Sequence, residues 1–162
     1  HQGPMRLALD IRIDPGVRAL AREAFPQARA RARLIIRKAL TLSGVALPEA
    51  VEIALLLTGD ARIRDLNKTW RGKDAPTNVL SFPQIDWAGA EPPLLLPPLH
   101  LGDIAVSLPT IAREADALAL PPQAHLDHMT AHGALHLLGY DHQTDEGAQR
   151  MEALEKQVLG EI

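Results

Sequence analysis

The chain has 162 residues, 46% of them apolar, a formal net charge of −3 and no cysteine. That length suits one domain with a sizeable core, and the lack of cysteine excludes disulfides and thiolate metal ligands. No apolar run approaches the roughly 18 residues that span a bilayer; the longest, Ile53–Leu57, is strand-sized, so no membrane contact is expected. The N-terminus shows no signal-peptide pattern, and with the absence of cysteine this fits a cytoplasmic location. His1–Pro4 read as a tag remnant ahead of a natural start at Met5, leaving 5–162 as the expected single domain.

The charge is unevenly spread. Residues 1–80 hold 14 Lys/Arg against 8 Asp/Glu, a net +6, whereas residues 81–162 hold 3 against 12, a net −9. The overall acidity speaks against a simple basic nucleic-acid binder. A basic half could still draw in an anionic polymer such as RNA, or could be a set of solvated helix faces, and charge alone does not choose between these.

Leu7–Asp14 alternates apolar and polar residues, which predicts a half-buried strand; Pro15-Gly16 then break it. A helix is expected from about Gln27 to Leu42, with Ala32, Ile35, Ile36, Ala39 and Leu40 inward. Its other face carries Arg29, Arg31, Arg33, Arg37 and Lys38, as a solvated face or an RNA contact. Val51–Thr58 reads as a buried strand. Thr58-Gly-Asp-Ala reads as a helix entry with Asp60 as N-cap, the helix ending near Trp70. Val79–Phe82 predicts a third strand stopped by Pro83. Residues 84–100, proline-rich and nearly uncharged, predict an irregular surface loop, a candidate lid beside the site, with Leu94–Leu96 packed on the body or against a partner.

Gly102–Ser107 predicts a fourth strand, and Leu108–Leu120 a helix that tolerates Pro109 in its first turn. Pro121 and Pro122 break it and start another. Asp145–Leu159 predicts a closing amphipathic helix, with Met151, Leu154 and Val158 inward and Asp145 and Glu146 suiting its N-terminus. The order β-α-β-α-β-β-α-α-α predicts an α+β fold: a small mixed sheet of about four strands packed with helices.

The helix after Pro122 holds the strongest motif, His132-x3-His136-x5-His142. Residues four apart lie on one helix face with Cβ atoms about 5–6 Å apart, close enough for two imidazoles to share one ion at about 2.0–2.1 Å. Gly139 ends the helix, as a residue free to take positive φ can, and lets the chain bring His142 back to the same point. Three nitrogen ligands with an open fourth position describe a catalytic metal site on a zincin-like helix. The arrangement is natural for one zinc ion per chain, and other divalent metals that accept imidazole fit as well. Such an ion would lower the pKa of its water to roughly 7 and act as a Lewis acid on a phosphoryl or carbonyl oxygen.

His132, His136, Gly139 and His142 fall where HExxHxxGxxH metalloproteases place their ligands and glycine, but Gly133 stands where their glutamate would be. Without that base, proteolysis is disfavoured. The attack then falls to metal-bound hydroxide, or to it with help from Asp141, which equally suits a turn or a partner orienting a histidine. His125 and His128 read as packing or orienting residues, Asp103 as an orienting carboxylate or a turn end, and Ser81 as a strand residue. Trp70 is a core residue or a base-stacking one. Arg71, followed by Lys73, Thr77 and Asn78 ahead of a strand, could grip a phosphate with two parallel hydrogen bonds, or form a surface pair with Asp74.

Together His132–His142, Arg71-Gly-Lys-Asp-Ala-Pro-Thr-Asn-Val-Leu-Ser-Phe82, Leu101–Ser107 and Met151–Glu155 resemble the YbeY endoribonucleases, over essentially the whole chain from Met5. The resemblance implies a zinc-type site at His132, His136 and His142, with Arg71 as the functional arginine of a basic cleft. Lys73 and Asn78 stand beside that arginine as candidate substrate contacts, and His128, Asp141 and Asp103 as candidate orienting residues. It further implies single-strand-preferring RNA cleavage in 16S rRNA 3′-end maturation and ribosome quality control, with the small ribosomal subunit and an Era-type GTPase as partners. Segment 84–100 is more apolar than the family pattern. Two other readings remain at this level: a metalloprotease-like hydrolase lacking its glutamate, and a ribosome-assembly binding factor whose metal is structural.

Overall fold

In the computed structural model, residues 4–160 are described. Their elements run β1 (Arg6–Ile13), a single 3-10 turn (Pro15–Val17), α1 (Arg18–Ala24), α2 (Ala28–Leu42), β2 (Ala50–Thr58), α3 (Asp60–Arg71), β3 (Val79–Pro83), β4 (Leu99–Ser107), α4 (Leu108–Ala117), α5 (Pro122–Leu137) and α6 (Asp145–Gly160). The fold is α+β. The four strands form one mixed sheet in the order β1-β2-β4-β3. β1, β2 and β4 are parallel, and β3 runs antiparallel to β4 at the far edge.

The helix α1 is an addition to the expected order. Seven residues between two prolines are too short for a periodic signal. Tertiary burial holds the segment instead, through Ala21 and through Phe25, which is 1% exposed.

In β2 the alternation of the pleat puts Val51, Ile53, Leu55 and Leu57 on one fully buried face. Against them pack Ile35, Ile36, Ala39 and Leu40 of α2 and Leu135 of α5, in one core that reaches from Leu7 to Val158. The opposite face is covered less completely, by α3 through Ile63 and Leu66. α5 is buried on most sides, from Leu126 to Leu137, which makes it the central helix of the layer.

Several expectations change. The face of α2 is not simply solvated: the guanidiniums of Arg29, Arg33 and Arg37 donate to the carbonyls of Ile11, Leu7 and Met5. Arg31 binds Asp127 of α5 through Nε and Nη2 at 3.1 and 2.6 Å. β1 is an edge strand, and its outward carbonyls are thereby covered against pairing with another chain. Asp60 is the first residue of α3 and Gly59 its N-cap; its carboxylate instead accepts from Ser107, Thr110 and Arg113, tying α3 to the β4–α4 junction. Trp70 is 69% exposed, so it is not a core residue. The proline-rich segment ends where β4 begins at Leu99. Trp87 Nε1 donates to the Leu137 carbonyl at 2.8 Å, while Leu94 and Leu96 stay exposed and Leu95 packs on the core.

Candidate metal centre

Three turns of local chemistry build the centre. The last two turns of α5 carry His132 and His136 on one face. Gly139, at φ +92°, ends it where a side chain could not follow, since a Cβ there would lie 2.8 Å from the Trp87 ring. The Tyr140 hydroxyl then donates to the Ser43 carbonyl at 2.6 Å, anchoring the returning loop to the end of α2, and His142 comes back over the helix. Among the described residues, one donor atom from each of His132, His136 and His142 can be chosen so that all lie within 4.8 Å of one another. Nε2 of His132 and Nε2 of His136 are 3.0 Å apart. Ligands at about 2.0–2.1 Å from one tetrahedral ion stand roughly 3.4 Å from each other, so this donor set fits a single divalent metal with little movement.

Burial pushes the His136 pKa down to about 4, with the neighbouring His132 and His142 adding to the effect. The imidazole is neutral at pH 7 and offers a lone pair rather than a proton, as a ligand must.

The residue that sequence reasoning missed is Glu155. It comes from α6, is 7% exposed, and receives the Nδ1 side of His132 at 2.6 Å and Nε2 of His128 at 3.0 Å. Burial alone would raise its pKa, but hydrogen bonds from His128 and His132 outweigh that and hold it at about 2. A carboxylate on Nδ1–H selects the tautomer whose Nε2 lone pair faces His136, the carboxylate–histidine arrangement that orients metal ligands. The signal was available: Glu155 stands four residues after Met151 and three before Val158, on the inward stripe of α6, where a charge is rarely buried unless paired. On the other oxygen of Glu155, His128 is half-exposed, and that hydrogen bond raises its pKa against the effect of burial.

These groups line an open cavity of about 890 Å³ that also receives Arg71, Lys73, Asn78, Ser81 and Asp141. Arg71 closes α3, and Gly72 at φ +71° turns the chain beside it. Asp74 pairs with Arg64 at 2.7 Å, so the alternative Arg71–Asp74 pair does not form. Asn78 is committed within the protein: Nδ2 reaches Glu114 at 3.0 Å and the Met129 sulfur at 3.2 Å, and Oδ1 accepts from the Val79 amide. Asp141 accepts from the Gln143 amide at 3.2 Å, as a turn residue does. His125 is buried against Glu114 at 2.8 Å. Asp103 is not brought to the histidines; it pairs with His100 at 3.2 Å on β4. Of the segment after Pro83 no residue lines the cavity, and through Trp87 that segment clamps the end of α5 instead of forming a lid.

Gly133 has a packing reason. A Cβ there would meet Ile104 Cγ2 at 3.0 Å, Ser81 Oγ at 3.2 Å and Val79 Cγ2 at 3.3 Å. Ser81 Oγ donates to the Gly133 carbonyl at 2.9 Å, drawing α5 onto β3. Where a metalloprotease carries its glutamate, this helix touches the sheet.

Comparison with known proteins places the chain in a family. The family profile described as Endoribonuclease YbeY matches residues 21–162. The chain is 47% identical over 136 residues to Endoribonuclease YbeY of Azorhizobium caulinodans, covering 84% of this chain and 82% of that protein. It is 42% identical over 159 residues to the protein of the same name in Paramagnetospirillum magneticum, covering 98% and 94%. The solution structure of TM1509 from Thermotoga maritima superposes with a TM-score of 0.52 at 22% identity, covering 94% of this chain and 90% of that one, and shares the fold.

Proposed function

The chain belongs to the YbeY endoribonuclease family, and from that premise we propose that it is a metal-dependent endoribonuclease acting on single-stranded RNA. The observation that carries this reading is one cavity holding the three convergent histidines, a carboxylate behind His132, and the cations Arg71 and Lys73 on its wall. His132, His136 and His142 would hold one divalent metal, zinc foremost, which when bound supplies Lewis acidity toward a phosphoryl oxygen. Neutral imidazoles leave the ion's charge uncompensated, which suits an anionic substrate. Arg71 donates in parallel to the two non-bridging oxygens of the scissile phosphate and offsets the charge that builds there. Lys73 extends that positive wall. Glu155 keeps His132 in the ligating tautomer.

The reading extends to the family's cellular work: 16S rRNA 3′-end maturation and ribosome quality control, alongside the small ribosomal subunit and an Era-type GTPase, in the cytoplasm. Residues 5–162 act in it as one domain. No helix among the described residues is long and apolar enough to cross a membrane.

The test is cleavage of single-stranded RNA by protein whose metal content has been determined. Cleavage is expected to stop on chelation and return with zinc. Arg71→Glu is expected to retain the metal and lose at least about 100-fold in kcat/KM, the scale of one transition-state charge contact. Full activity in metal-free protein would end the hydrolytic reading, and full activity of Arg71→Glu would reduce Arg71 to a surface residue.

Glu155 has a separate readout. Glu155→Gln is expected to weaken zinc binding about 10- to 100-fold, as loss of an outer-sphere carboxylate does, and to lower the His128 pKa toward its ordinary value. Competition with a chromophoric chelator measures the first and NMR titration the second; unchanged affinity would mean that Glu155 only packs.

A further inference from the structure

The basic half of the chain resolves into committed and available cations. Arg31, Arg33, Arg37, Arg62 and Arg64 are bonded to main-chain carbonyls or to carboxylates. The side chains of Arg18 and Arg22 have no hydrogen-bond or ion-pair partner among the described residues. Both lie on α1, four residues apart and so on one helix face. They line a second cavity, of about 990 Å³, floored by Phe25 and edged by Arg12 and Arg29.

Among the described residues, Arg12 is held by an exposed pair with Asp10 at 3.3 Å, an interaction worth little. Arg29 spends one donor on the Ile11 carbonyl at 3.2 Å and keeps others of its five. The one acid in the lining, Asp14, is already taken by Thr58 and Arg62. Among the described residues the cleft therefore presents four guanidiniums and no free carboxylate. Its floor offers no exposed aromatic ring on which a base could stack, so its chemistry suits backbone phosphates rather than bases. It sits at the end of β1, whereas the candidate centre opens beside β3; the two edges of the sheet are three strand spacings apart, roughly 14 Å.

We propose that the cleft of Arg12, Arg18, Arg22 and Arg29 is a second, sequence-independent docking site for the phosphate backbone of single-stranded RNA, engaged by a stretch several nucleotides away from the bond being cut. This rests on the RNA reading of the metal centre and adds a footprint to it. A long strand bridges both sites, and a short one reaches the centre alone.

The experiment measures binding apart from cleavage, with metal-stripped protein, long poly(U) and a short oligouridylate across a salt series. Each phosphate contact to a single strand contributes about −0.7 to the slope of log affinity against log salt. Arg18→Gln/Arg22→Gln is expected to shrink that slope by about 1.4 for poly(U), to leave it unchanged for the short oligomer, and to unfold at the parent temperature. Arg18→Lys/Arg22→Lys is expected to keep most of the slope. An unchanged poly(U) slope in the Gln variant overturns the proposal. So does an equal loss on both RNAs, or a loss on polyglutamate with none on poly(U), which would assign the cleft to an acidic protein. If the slope falls as expected while metal-loaded protein cuts no RNA, the docking site stands and the nuclease reading fails.

Discussion

His136→Ala is expected to lose both bound metal and RNA cleavage while the fold survives. In the proposed site His136 would supply one of three nitrogens, and its Nε2 lies 3.0 Å from that of His132. With it gone, two imidazoles and an exposed loop remain, too few donors to fix one ion. Activity should fall more than about 10³-fold, beyond the 10- to 100-fold that loss of an outer partner costs, and should match that of chelator-treated parent protein. The metal is read by elemental analysis, the fold by thermal melting, and cleavage on single-stranded RNA. The same variant separates an enzyme from an assembly factor with a structural metal. A variant that has lost its metal but still cuts RNA would remove the histidines from the mechanism. A variant that loses its metal and unfolds would make the site structural.

Gly133→Glu, which restores the metalloprotease pattern, is expected to destabilise the protein and to yield no peptidase. The new Cβ would stand 3.0–3.3 Å from Ile104, Ser81 and Val79, and the carboxylate would be driven between α5 and the sheet. Overpacking costs about 1–3 kcal/mol, and an unpaired charge buried there adds to it, so a loss of about 3–5 kcal/mol is expected. For a chain of this size that lowers Tm by roughly 10 °C or more. Gly133→Ala should fall between variant and parent, because it meets the same three atoms without the charge. A Glu variant that melts with the parent would mean that the α5–β3 contact gives way freely. Peptide cleavage by it would reopen the protease reading.

The two substitutions bear on different levels of the same helix. His136 reports on chemistry carried by spacing along one element. Gly133 reports on a contact between elements, and it gives a steric account of an absence that the sequence displays without a cause. Proteolysis is disfavoured by the missing glutamate; the packing explains why that position cannot simply regain one.

Much of the fold is legible because its signals are local. The alternation in Leu7–Asp14, the apolar stripe of α2 and the prolines before α5 each act within a few residues, and the strands and long helices lie close to where those patterns put them. α1 escapes because seven residues carry no period, and Phe25 is buried by contacts from elsewhere in the chain. Asp60 has the right residue type for a cap, but Ser107, Thr110 and Arg113 compete for its carboxylate and win. The arginines of α2 read as a solvated face because the edge carbonyls that take them up come from β1 and the residue before it, 18 to 32 residues earlier.

The centre divides in the same way. The meeting of His132, His136 and His142 follows from an i, i+4 spacing and a glycine turn, both short-range, so the sequence by itself determined that three imidazoles could converge. Only the tertiary structure decided what surrounds them. Glu155 reaches His132 from another helix, Arg71 arrives at the cavity from the end of α3, and Trp87 seals Gly139 from a loop that reads as a lid. It also decided which cations are spent and which, at Arg18 and Arg22, have no partner among the described residues. The reason is range: hydrogen bonds and turns among neighbours are set by covalent proximity, whereas the partner of a buried charge is set by how whole elements pack.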